Sequence, residues 1–434
     1  MREDWIEVEY EKIVNKVSTN KKKLKQKEYL QKGKYPVIDQ GQNLIGGFTD
    51  DDTKLLDCEL PVIVFGDHTK IVKLITFQFA PGADGTKVLE PQKIVIPKFL
   101  SYLTQIIVFK IKDKGYARHY QHIEKQFFPI PPLPEQRAIV AKIEQLFSEL
   151  DNGIANLKAA KDKLEIYRQA VLKKAFEGEL TKEWRKTNNV QNQWQKNPIQ
   201  YLIIELSQGW SPKCHNYSSD NPNEWAVIKT SAIQHGHFLE YENKVLPKSL
   251  VPREQHELRI GDILITRAGP RVRVGVCCMV KQVRPKLINC DKVYRLRFNN
   301  EIDPEFFEYR MNSLEFIHKI ELIKTGGSDS GLNLTQSRFL SLELEYPSRD
   351  EQTQIVYEIE SRLSVCDNIL GNIEEGLEKC EALRQSILKK AFEGELLNEA
   401  ELEACRKESD WEPAEKLLER IRKDNVKQEK AATV

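Results

Sequence analysis

The chain has 434 residues, of which 40% are hydrophobic and 30% are charged, and its formal net charge is +1. That length is enough for two or three hydrophobic cores, and the composition is that of a globular protein with a large polar surface. No apolar run approaches the roughly 18 residues of a membrane-spanning helix, and the acidic N-terminal residues lack the apolar segment of a secretory signal. The eight cysteines include no Cys-x-x-Cys pair, so neither a zinc ribbon nor a disulfide framework is indicated, and we expect a cytoplasmic location.

The first 130 residues are predicted to form a mainly β domain with short helices. β-rich runs at 61–65, 72–77 and 105–109 lie between Gly and Asp turns. Similar runs occur later, at 262–266 and 293–297. The chain therefore contains two globular blocks of this kind.

Long helical patterns follow each block. The predicted organisation is a first globular domain, a spacer helix, a second globular domain, a second spacer helix and a charged extension, over residues 1–130, 131–184, 185–346, 347–397 and 398–434. The extension holds ten acidic and eight basic residues in alternation, which is typical of a solvated helical face or a floppy tail.

The two helical segments are a repeat. A shift of 216 residues places 135–180 on 351–396 with 23 identities in 46 positions, where roughly 3 would be expected from composition. Nine consecutive residues, Leu172–Leu180, recur as Leu388–Leu396. In both copies apolar side chains return every seven residues, which predicts a coiled coil. The repeated apolar positions are Ile143, Leu150, Leu157, Leu164 and Val171, and Ile359, Cys366, Ile373, Cys380 and Ile387.

A helix of this length, ~69 Å, cannot bury its apolar stripe alone, and its duplicate is the obvious partner. The predicted fold class is therefore α+β: two mixed α/β globular domains separated by two long antiparallel coiled-coil helices with pseudo-twofold symmetry. The globular blocks do not align convincingly in sequence, so we expect them to differ. Two alike helices would bind two copies of one partner, whereas unlike domains would bind unlike targets.

The motifs resemble those of the specificity subunits of type I restriction-modification enzymes. Residues 130–140, with the sequence IPPLPEQRAIV, resemble the entry to that family's first conserved helix, and both helices here end in LKKAFEGEL, as the family's typically do. Segments similar to its target-recognition domains are 64–70, 82–87, 116–120 and 261–269. The resemblance extends from about residue 5 to 396.

The resemblance implies a subunit without catalysis of its own that binds double-stranded DNA. Each globular domain would read one half of a bipartite site, and the paired helices would set the spacing and dock two methyltransferase (modification) subunits. Those partners would methylate adenine with S-adenosylmethionine, and motor-nuclease (restriction) subunits would use ATP and Mg. This chain itself is expected to bind no cofactor and no metal.

The predicted DNA-binding residues lie on polar turns and in a basic stretch. Between Arg259 and Arg297 there are ten Lys or Arg and two Asp. Basic side chains neutralise phosphates, and an Arg on a turn can reach a base edge. The alternative is that these are ordinary solvated turns. The predicted set is Asp67, His68, Thr69, Lys70, Thr86, Lys87, Arg118, Arg267, Arg271, Arg273 and Lys281. Residues 328–335 form a further polar loop that either reads bases or caps a turn.

The identical residues of the two helices have two explanations, which are docking of identical partners and packing against each other. Core packing alone does not require polar positions to be identical, which favours docking. The predicted docking residues are Glu135, Gln136, Lys173, Lys174, Phe176, Glu351, Gln352, Lys389, Lys390 and Phe392.

Motifs for catalysis are missing from the sequence. Residues 41–47 begin like a phosphate loop but lack the Lys-Ser/Thr that grips phosphate. His119 and His122 lie three residues apart, with no Cys or carboxylate cluster to complete a metal site. A stand-alone methyltransferase or nuclease is therefore disfavoured. The alternative that stays open is a scaffold that presents two protein-binding heads without DNA.

Overall fold

The structure is a computed structural model that describes residues 2–82, 85–110 and 118–420. The chain divides into two compact units. Unit 1 is Met1–Leu157 with Glu375–Val434, and unit 2 is Lys158–Glu374. Since both boundaries fall inside the long helices, each unit contains one globular head and half of each helix.

Within its described residues, the first head, residues 6–130, contains nine strands and one α-helix. A four-stranded antiparallel sheet has the order β2-β8-β5-β6, a three-stranded sheet has the order β4-β3-β7, and β1 pairs with β9. Strand β5 is buried on both faces of the four-stranded sheet and lies between two hydrophobic clusters. The elements are β1 (Ile6–Glu9), β2 (Val14–Val17), β3 (Tyr35–Ile38), β4 (Gly47–Thr49), β5 (Val62–Gly66), β6 (Val72–Ile75), β7 (Ala80–Pro81), β8 (Thr86–Pro91), α1 (Pro97–Lys110) and β9 (Phe127–Ile130).

The predicted strands at 61–65 and 72–77 are confirmed as β5 and β6, but the one at 105–109 is wrong. Those residues lie in α1, which begins with Pro97 at a position where a missing N–H costs nothing. Phe99, Leu103 and Ile107 are fully buried at helical spacing. Burial of this stripe outweighs the β preference of the run Ile106–Val108.

The second head, residues 195–346, follows after α2 (Leu133–Phe176) and α3 (Lys182–Asn188). The predicted strands at 262–266 and 293–297 are confirmed as β16 and β20. Its elements are β10 (Gln195–Pro198), β11 (Ile203–Gln208), β12 (Ala226–Ile228), β13 (Ile233–Gln234), β14 (His237–Phe238), β15 (Asn243–Val245), β16 (Ile263–Thr266), β17 (Ala268–Gly269), β18 (Cys277–Met279), β19 (Leu287–Ile288), β20 (Val293–Phe298), α4 (Pro304–Met311), α5 (Leu314–Ile323), β21 (Leu332–Asn333), α6 (Gln336–Leu340) and β22 (Glu343–Tyr346).

The two heads share one topology, although their sequences do not align. The second head repeats the four-stranded order as β11-β20-β16-β18, the three-stranded order as β15-β12-β19, and the two-stranded pair as β10-β22. In both three-stranded sheets one pairing is antiparallel and the other parallel. The expectation that the globular blocks differ is therefore wrong for the framework. The short pairs β13-β14 and β17-β21 of the second head have no counterpart in the part of the first head that the structure describes.

The long helices α2 and α7 (Arg349–Glu393) are confirmed and pair antiparallel within each unit. In unit 1, Asp151 is ion-paired with Arg384, while Leu157 faces Gly376. In unit 2, Arg168 lies 2.6 Å from Asp367. These are the same ion pair at repeat-equivalent positions, so each unit has the same helix register. Among the described residues, no helix is both long and apolar enough to cross a membrane.

The helix ends follow the predicted chemistry. Gly178 and Gly394 come after the last helical turns with φ of +72° and +80°, a conformation that glycine adopts without strain. Each helix carries lysine in its last turn, where the helix dipole favours a positive charge.

Of the two alternatives for the charged extension, residues 398–420 show the helix with a solvated face and not the floppy tail. Helix α8 (Glu399–Arg406) and the segment after it bury Leu402, Cys405, Leu417 and Leu418 at 1–6% exposure, three of them within the core of unit 1. Residues 421–434 lie outside the described residues. Through residue 420, the charged positions are the outer face of a packed element.

Replacement of Leu402 by Ala is expected to lower the free energy of unfolding by about 2–5 kcal/mol, because it leaves a cavity in a packed core. The matched control is Glu403→Ala on the exposed face of the same helix, for which a change within about 0.5 kcal/mol is expected. Denaturant unfolding of the full chain, combined with hydrogen exchange along the first turns of α2, measures both. Equal stability of L402A and the unmodified chain would contradict a core role for α8.

Candidate nucleic-acid interface

The polar turns of the first head meet at one end of its four-stranded sheet. Strand β5 ends at Gly66, which is paired with Thr86 at the start of β8. The turn after β5 and the start of β8 are therefore neighbours, although almost 20 residues separate them in the chain. The predicted residues that come together here are Asp67, His68, Thr69, Lys70, Thr86 and Lys87. Ala83, Asp84, Tyr116 and Ala117 of the motifs lie outside the described residues.

Asp67 organises this end of the sheet from the interior. It is 3% exposed, and its carboxylate accepts a hydrogen bond from the Tyr120 backbone N–H at 2.8 Å. Its carbonyl accepts from the His119 N–H at 2.9 Å, which fixes the exposed Arg118 beside the turn. Thr86 is also buried, at 2% exposure. A buried side chain cannot reach a DNA groove, so the prediction of direct contact by Asp67 and Thr86 is corrected to a positioning role.

A loop that the sequence offered only as an incomplete phosphate loop borders the same surface. Thr69 donates from its hydroxyl to the carbonyl of Gln40 at 2.7 Å. Lys73 is 6% exposed and donates from Nζ to the carbonyls of Asp39, at 2.8 Å, and Asn43, at 2.6 Å. Burial lowers the pKa of the Lys73 amine. The glycines of residues 41–47 are the sequence signal for this loop. They predict a turn even where the residues that bind phosphate are missing.

The arginine turn of the second head occupies the corresponding place. It follows β16, which pairs with β20 as β5 pairs with β8. Arg267 donates from Nε to the carbonyl of Asp291 at 2.8 Å and lies over the ring of Tyr294. Arg271 is half exposed and ion-paired with Asp329, at 2.9 Å, and with Glu321. The polar loop 328–335 therefore lies beside Arg271, as its backbone hydrogen bond to the Arg271 N–H also shows.

Not all of the basic stretch faces this surface. Arg273 donates to the carbonyls of Thr230 and Ile233, so its guanidinium holds the loop together from within. Arg295 is 3% exposed and paired with Glu205 at 2.6 Å. The prediction that the stretch from Arg259 to Arg297 faces DNA is therefore wrong for these two arginines, because their charge is used inside the second head.

Lys281 lies at the other end of the sheet. Strand β18 runs antiparallel to β16 and ends at Met279, opposite Ile263 at the start of β16. Lys281 follows two residues later and therefore lies away from the turn after β16. Its Nζ is 2.8 Å from Glu305 in α4 and 3.4 Å from Glu360 in α7. The grouping of Lys281 with Arg267 and Arg271 is corrected on this ground.

The two predicted DNA surfaces are equivalent loops of one topology. The turn after β5 and the turn after β16 connect matching strands of matching sheets. Their sequences are unrelated, since one turn carries His, Thr and Lys and the other carries arginines. One framework thus presents different side chains at the same end of each head.

The opposite end of each head meets a long helix through a buried glutamine. Gln136 donates from Nε2 to the carbonyls of Ile94 and Pro131, and its Oε1 accepts from the Ile96 N–H. Gln352 makes the same three contacts with Glu301, Pro347 and Asp303. Both glutamines are 0% exposed. The prediction that Gln136 and Gln352 dock a partner is therefore wrong, because they join helix to head.

The adjacent glutamates are buried too, with unlike partners. Glu135 accepts from the Trp5 indole N–H at 2.8 Å, and burial raises its pKa. Glu351 accepts from the Thr181 hydroxyl at 2.7 Å and is ion-paired with Arg185 of α3. Each is 1% exposed, which corrects their predicted docking role as well.

Of the remaining predicted docking residues, the phenylalanines are buried and the lysines are exposed. Phe176 packs edge-on against Phe306 with ring centroids 5.6 Å apart, and Phe392 packs against Phe99 at 5.0 Å. Their docking role is corrected to core packing. The side chains of Lys173 and Lys389 are 74% and 66% exposed, and Lys174 and Lys390 are exposed beside them. The docking prediction stands for these four lysines.

Comparison with known proteins shows which proteins this chain is similar to. Residues 2–159 match the family model of the type I restriction modification DNA specificity domain. The first head and the start of α2 are therefore similar to a DNA specificity domain of type I restriction-modification systems. Within the described residues, no group of three or more His, Cys, Asp and Glu side chains is arranged to hold a metal ion.

The relatives are specificity subunits. The chain is 35% identical over 182 residues to the specificity subunit of the type I restriction enzyme EcoEI of Escherichia coli, a match that covers 42% of this chain and 31% of that relative. It is 28% identical over 349 residues to the EcoKI specificity subunit of E. coli strain K12, covering 78% of this chain and 74% of the relative. These findings confirm the resemblance to type I specificity subunits, a class whose name implies recognition of a DNA target.

A solved structure supports the fold. One solved chain matches with a TM-score of 0.66. Its structure is described as the structural basis of complex assembly and conformational transition of the type I restriction-modification system. It is 16% identical and covers 91% of this chain and 99% of its own length. The arrangement of two heads and two long helices is thereby confirmed.

Substitution of the two buried glutamates by Gln is expected to have opposite effects. Glu351→Gln leaves the buried charge of Arg185 without its partner, at a cost of about 3–5 kcal/mol. Glu135→Gln keeps an acceptor for Trp5 and removes an unpaired buried carboxyl, so it is expected to stabilise unit 1. Hydrogen exchange at the starts of α2 and α7 in the full chain separates the two effects.

The gain from Glu135→Gln depends on pH. Because folding raises the pKa of Glu135, ionisation of this group opposes folding once the pH exceeds the ordinary carboxyl pKa of about 4.3. The stabilisation by E135Q is therefore expected to be absent at lower pH and to grow as the pH rises towards neutrality. A pH-independent difference would contradict this assignment.

Proposed function

We propose that this chain is the DNA-reading subunit of a type I restriction-modification complex, in which each head reads one half of a bipartite site in double-stranded DNA. The observation that carries the proposal is the equivalence of the two candidate surfaces. Two heads of one topology present unlike polar side chains from matching loops. Matching frameworks suit the same duplex geometry, and unlike side chains suit different base sequences.

The contacts divide by chemistry. In the first head the exposed Thr69, Lys87 and Arg118 are placed for phosphate or groove contact around the turn that Asp67 fixes. In the second head Arg271 is the exposed arginine of the turn, and its ion pairs are at the surface. Exposed ion pairs are worth little, about 0–1 kcal/mol, so a DNA phosphate or base can replace the carboxylates as partner.

The long helices would set the spacing of the half-sites and dock two methyltransferase subunits. Support for docking comes from the lysines of the repeated nine-residue segment, which are exposed in both units. An exposed residue that is identical in two copies does not owe its identity to packing. S-adenosylmethionine would be bound by the methyltransferase subunits, and ATP and Mg by motor-nuclease subunits. This chain would supply specificity without catalysis, in the cytoplasm.

Alanine at both Arg267 and Arg271 is expected to weaken protection of one half-site and to leave the other protected. The same complex with Thr69→Ala and Lys87→Ala should show the reverse pattern, because each pair of changes lies in a different head. Footprinting on DNA that carries the site identified by methylome sequencing provides the measurement. Lys281→Ala, at the other end of the second head, is the matched control and should leave both halves protected.

Two results would overturn this proposal. Loss of both half-sites from changes in one head would contradict independent reading. An affinity for DNA that does not fall with rising salt would favour a protein-binding scaffold, because phosphate contacts make binding salt-dependent.

Insertion of seven residues into both long helices is expected to change the gap of the recognised site and to leave the half-site sequences unchanged. Seven residues keep the apolar stripe in phase and add about 10 Å of helix, which is about three base pairs at 3.4 Å each. Methylome sequencing of cells that carry the altered chain reads the gap directly. An unchanged gap would contradict the spacing role of the helices.

A further inference from the structure

We propose that Arg253, held over the indole ring of Trp210, contacts a DNA phosphate and extends the DNA surface of the second head. This inference rests on the proposed function and names a contact outside the arginine turn. Neither residue carries a motif, and they are 43 positions apart in the chain.

Trp210 lies directly beside the arginine turn. It follows β11, whose last residue Gln208 pairs with Tyr294 of β20, the ring under Arg267. The Trp210 N–H donates to the carbonyl of Asn289 at 3.0 Å. At the residue before it, a side chain is excluded, because a Cβ on Gly209 would lie 2.0 Å from that carbonyl oxygen. The backbone at Trp210 is thereby fixed at this end of the sheet.

A chain of polar contacts links Trp210 with the turn. Ser211 is hydrogen-bonded through Oγ to the carboxylate of Asp291. The carbonyl of the same Asp291 accepts from Arg267 Nε at 2.8 Å. Trp210 and Arg267 thus border one continuous surface.

Arg253 is anchored at the same point. It precedes a short 3-10 helix of one turn, Glu254–His256. The His256 carbonyl in this turn accepts from the Asn289 N–H at 2.9 Å. The two backbone groups of Asn289 therefore hold Trp210 on one side and the turn after Arg253 on the other. The Arg253 guanidinium carbon lies 4.5 Å from the centre of the Trp210 ring, within the range of a cation–π contact.

The charge of Arg253 is open to a ligand. Its side chain is exposed, and among the described residues no carboxylate lies within ion-pair distance of it. Arg267 and Arg271, by contrast, are engaged with protein acceptors. A guanidinium that stacks on an indole keeps its edge free for phosphate oxygens, and the stack limits the rotamers it must lose on binding.

In the first head the matching loop and turn are joined by lysine hydrogen bonds to backbone carbonyls. There the loop after β2 meets the 3-10 turn Asp52–Lys54, which also lies between matching strands. Lys54 donates from Nζ to the carbonyl of Lys21 at 3.1 Å, and Lys22 donates to the carbonyl of Leu55. Each head thus brings basic side chains to the same border of its DNA surface, but with lysines in one and an arginine–tryptophan stack in the other.

The test is the salt dependence of DNA binding by the full chain in its methyltransferase complex, on a duplex that carries the mapped recognition site. Arg253→Ala is expected to weaken binding about five-fold near physiological salt, and to reduce the slope of log affinity against log salt by about 0.9, the value for one lost phosphate contact. The matched control is Arg349→Ala. This exposed arginine lies at the start of α7, at the opposite end of the second head, where it is 3.0 Å from Asp303, and its loss should change neither quantity.

Trp210 is assigned as a positioning residue and tested through Arg253. Trp210→Leu should weaken binding in the unmodified chain and have no further effect in R253A, since it acts only by holding the guanidinium. Additive losses would overturn the positioning role and mark Trp210 as a contact of its own. Half-site footprints should show the loss in the half read by the second head.

The outcomes separate this inference from the proposed function. Unchanged binding by R253A, together with weakened binding when Arg267 and Arg271 are replaced, would overturn the Arg253 contact and leave the proposed function in place. Equal losses in R253A and R349A would also overturn it, because they would indicate a general charge effect. Binding that none of these changes alters, and that is flat with salt, would overturn the proposed function itself.

Discussion

The apolar stripe of the duplicated helix is the constraint on which the rest of the architecture depends. A lone α2 or α7 would leave this stripe exposed to water, and antiparallel pairing buries it in each unit. The ion pairs Asp151–Arg384 and Arg168–Asp367 then repeat one contact in both units. Such surface pairs add little energy, so their contribution is to favour one register. Because register is shared, each head is attached to an equivalent helix start.

Attachment of the heads depends on a second buried interaction. Gln136 and Gln352 each satisfy three backbone groups with both ends of one amide. A buried backbone group without a partner costs free energy, and only an amide side chain offers donors and an acceptor at this length. This requirement alone keeps the residue identical in both copies. A rigid joint at one end of each sheet leaves the loops at the other end free to vary in sequence.

Periodicity and self-comparison predicted the helices, their ends and their pairing, because these depend on apolar spacing that is visible along the chain. The shared topology of the heads was not predictable in this way, since their strands are two to six residues long and conserve only burial. The identity of Glu135 and Gln136 with their repeat equivalents does not distinguish docking from packing, because the sequence does not show whether a polar side chain is buried. The run at 105–109 was misassigned for a related reason: β-branched residues look like a strand until the buried stripe of α1 is known.

The basic stretch of the second head shows why the count of charges was a poor guide to the DNA surface. Arg295 and Arg273 donate to backbone carbonyls of Glu257 and Thr230 inside the head, and moving them to DNA would break these hydrogen bonds. Arg271 has only exposed carboxylates to give up. The contribution of a cation to DNA binding is the difference between its interaction free energy with the phosphate and that with its present partner in the protein. On that measure a chain of net charge +1 can bind DNA well, since a few side chains on one surface determine the affinity and the remaining charges are already matched within the protein.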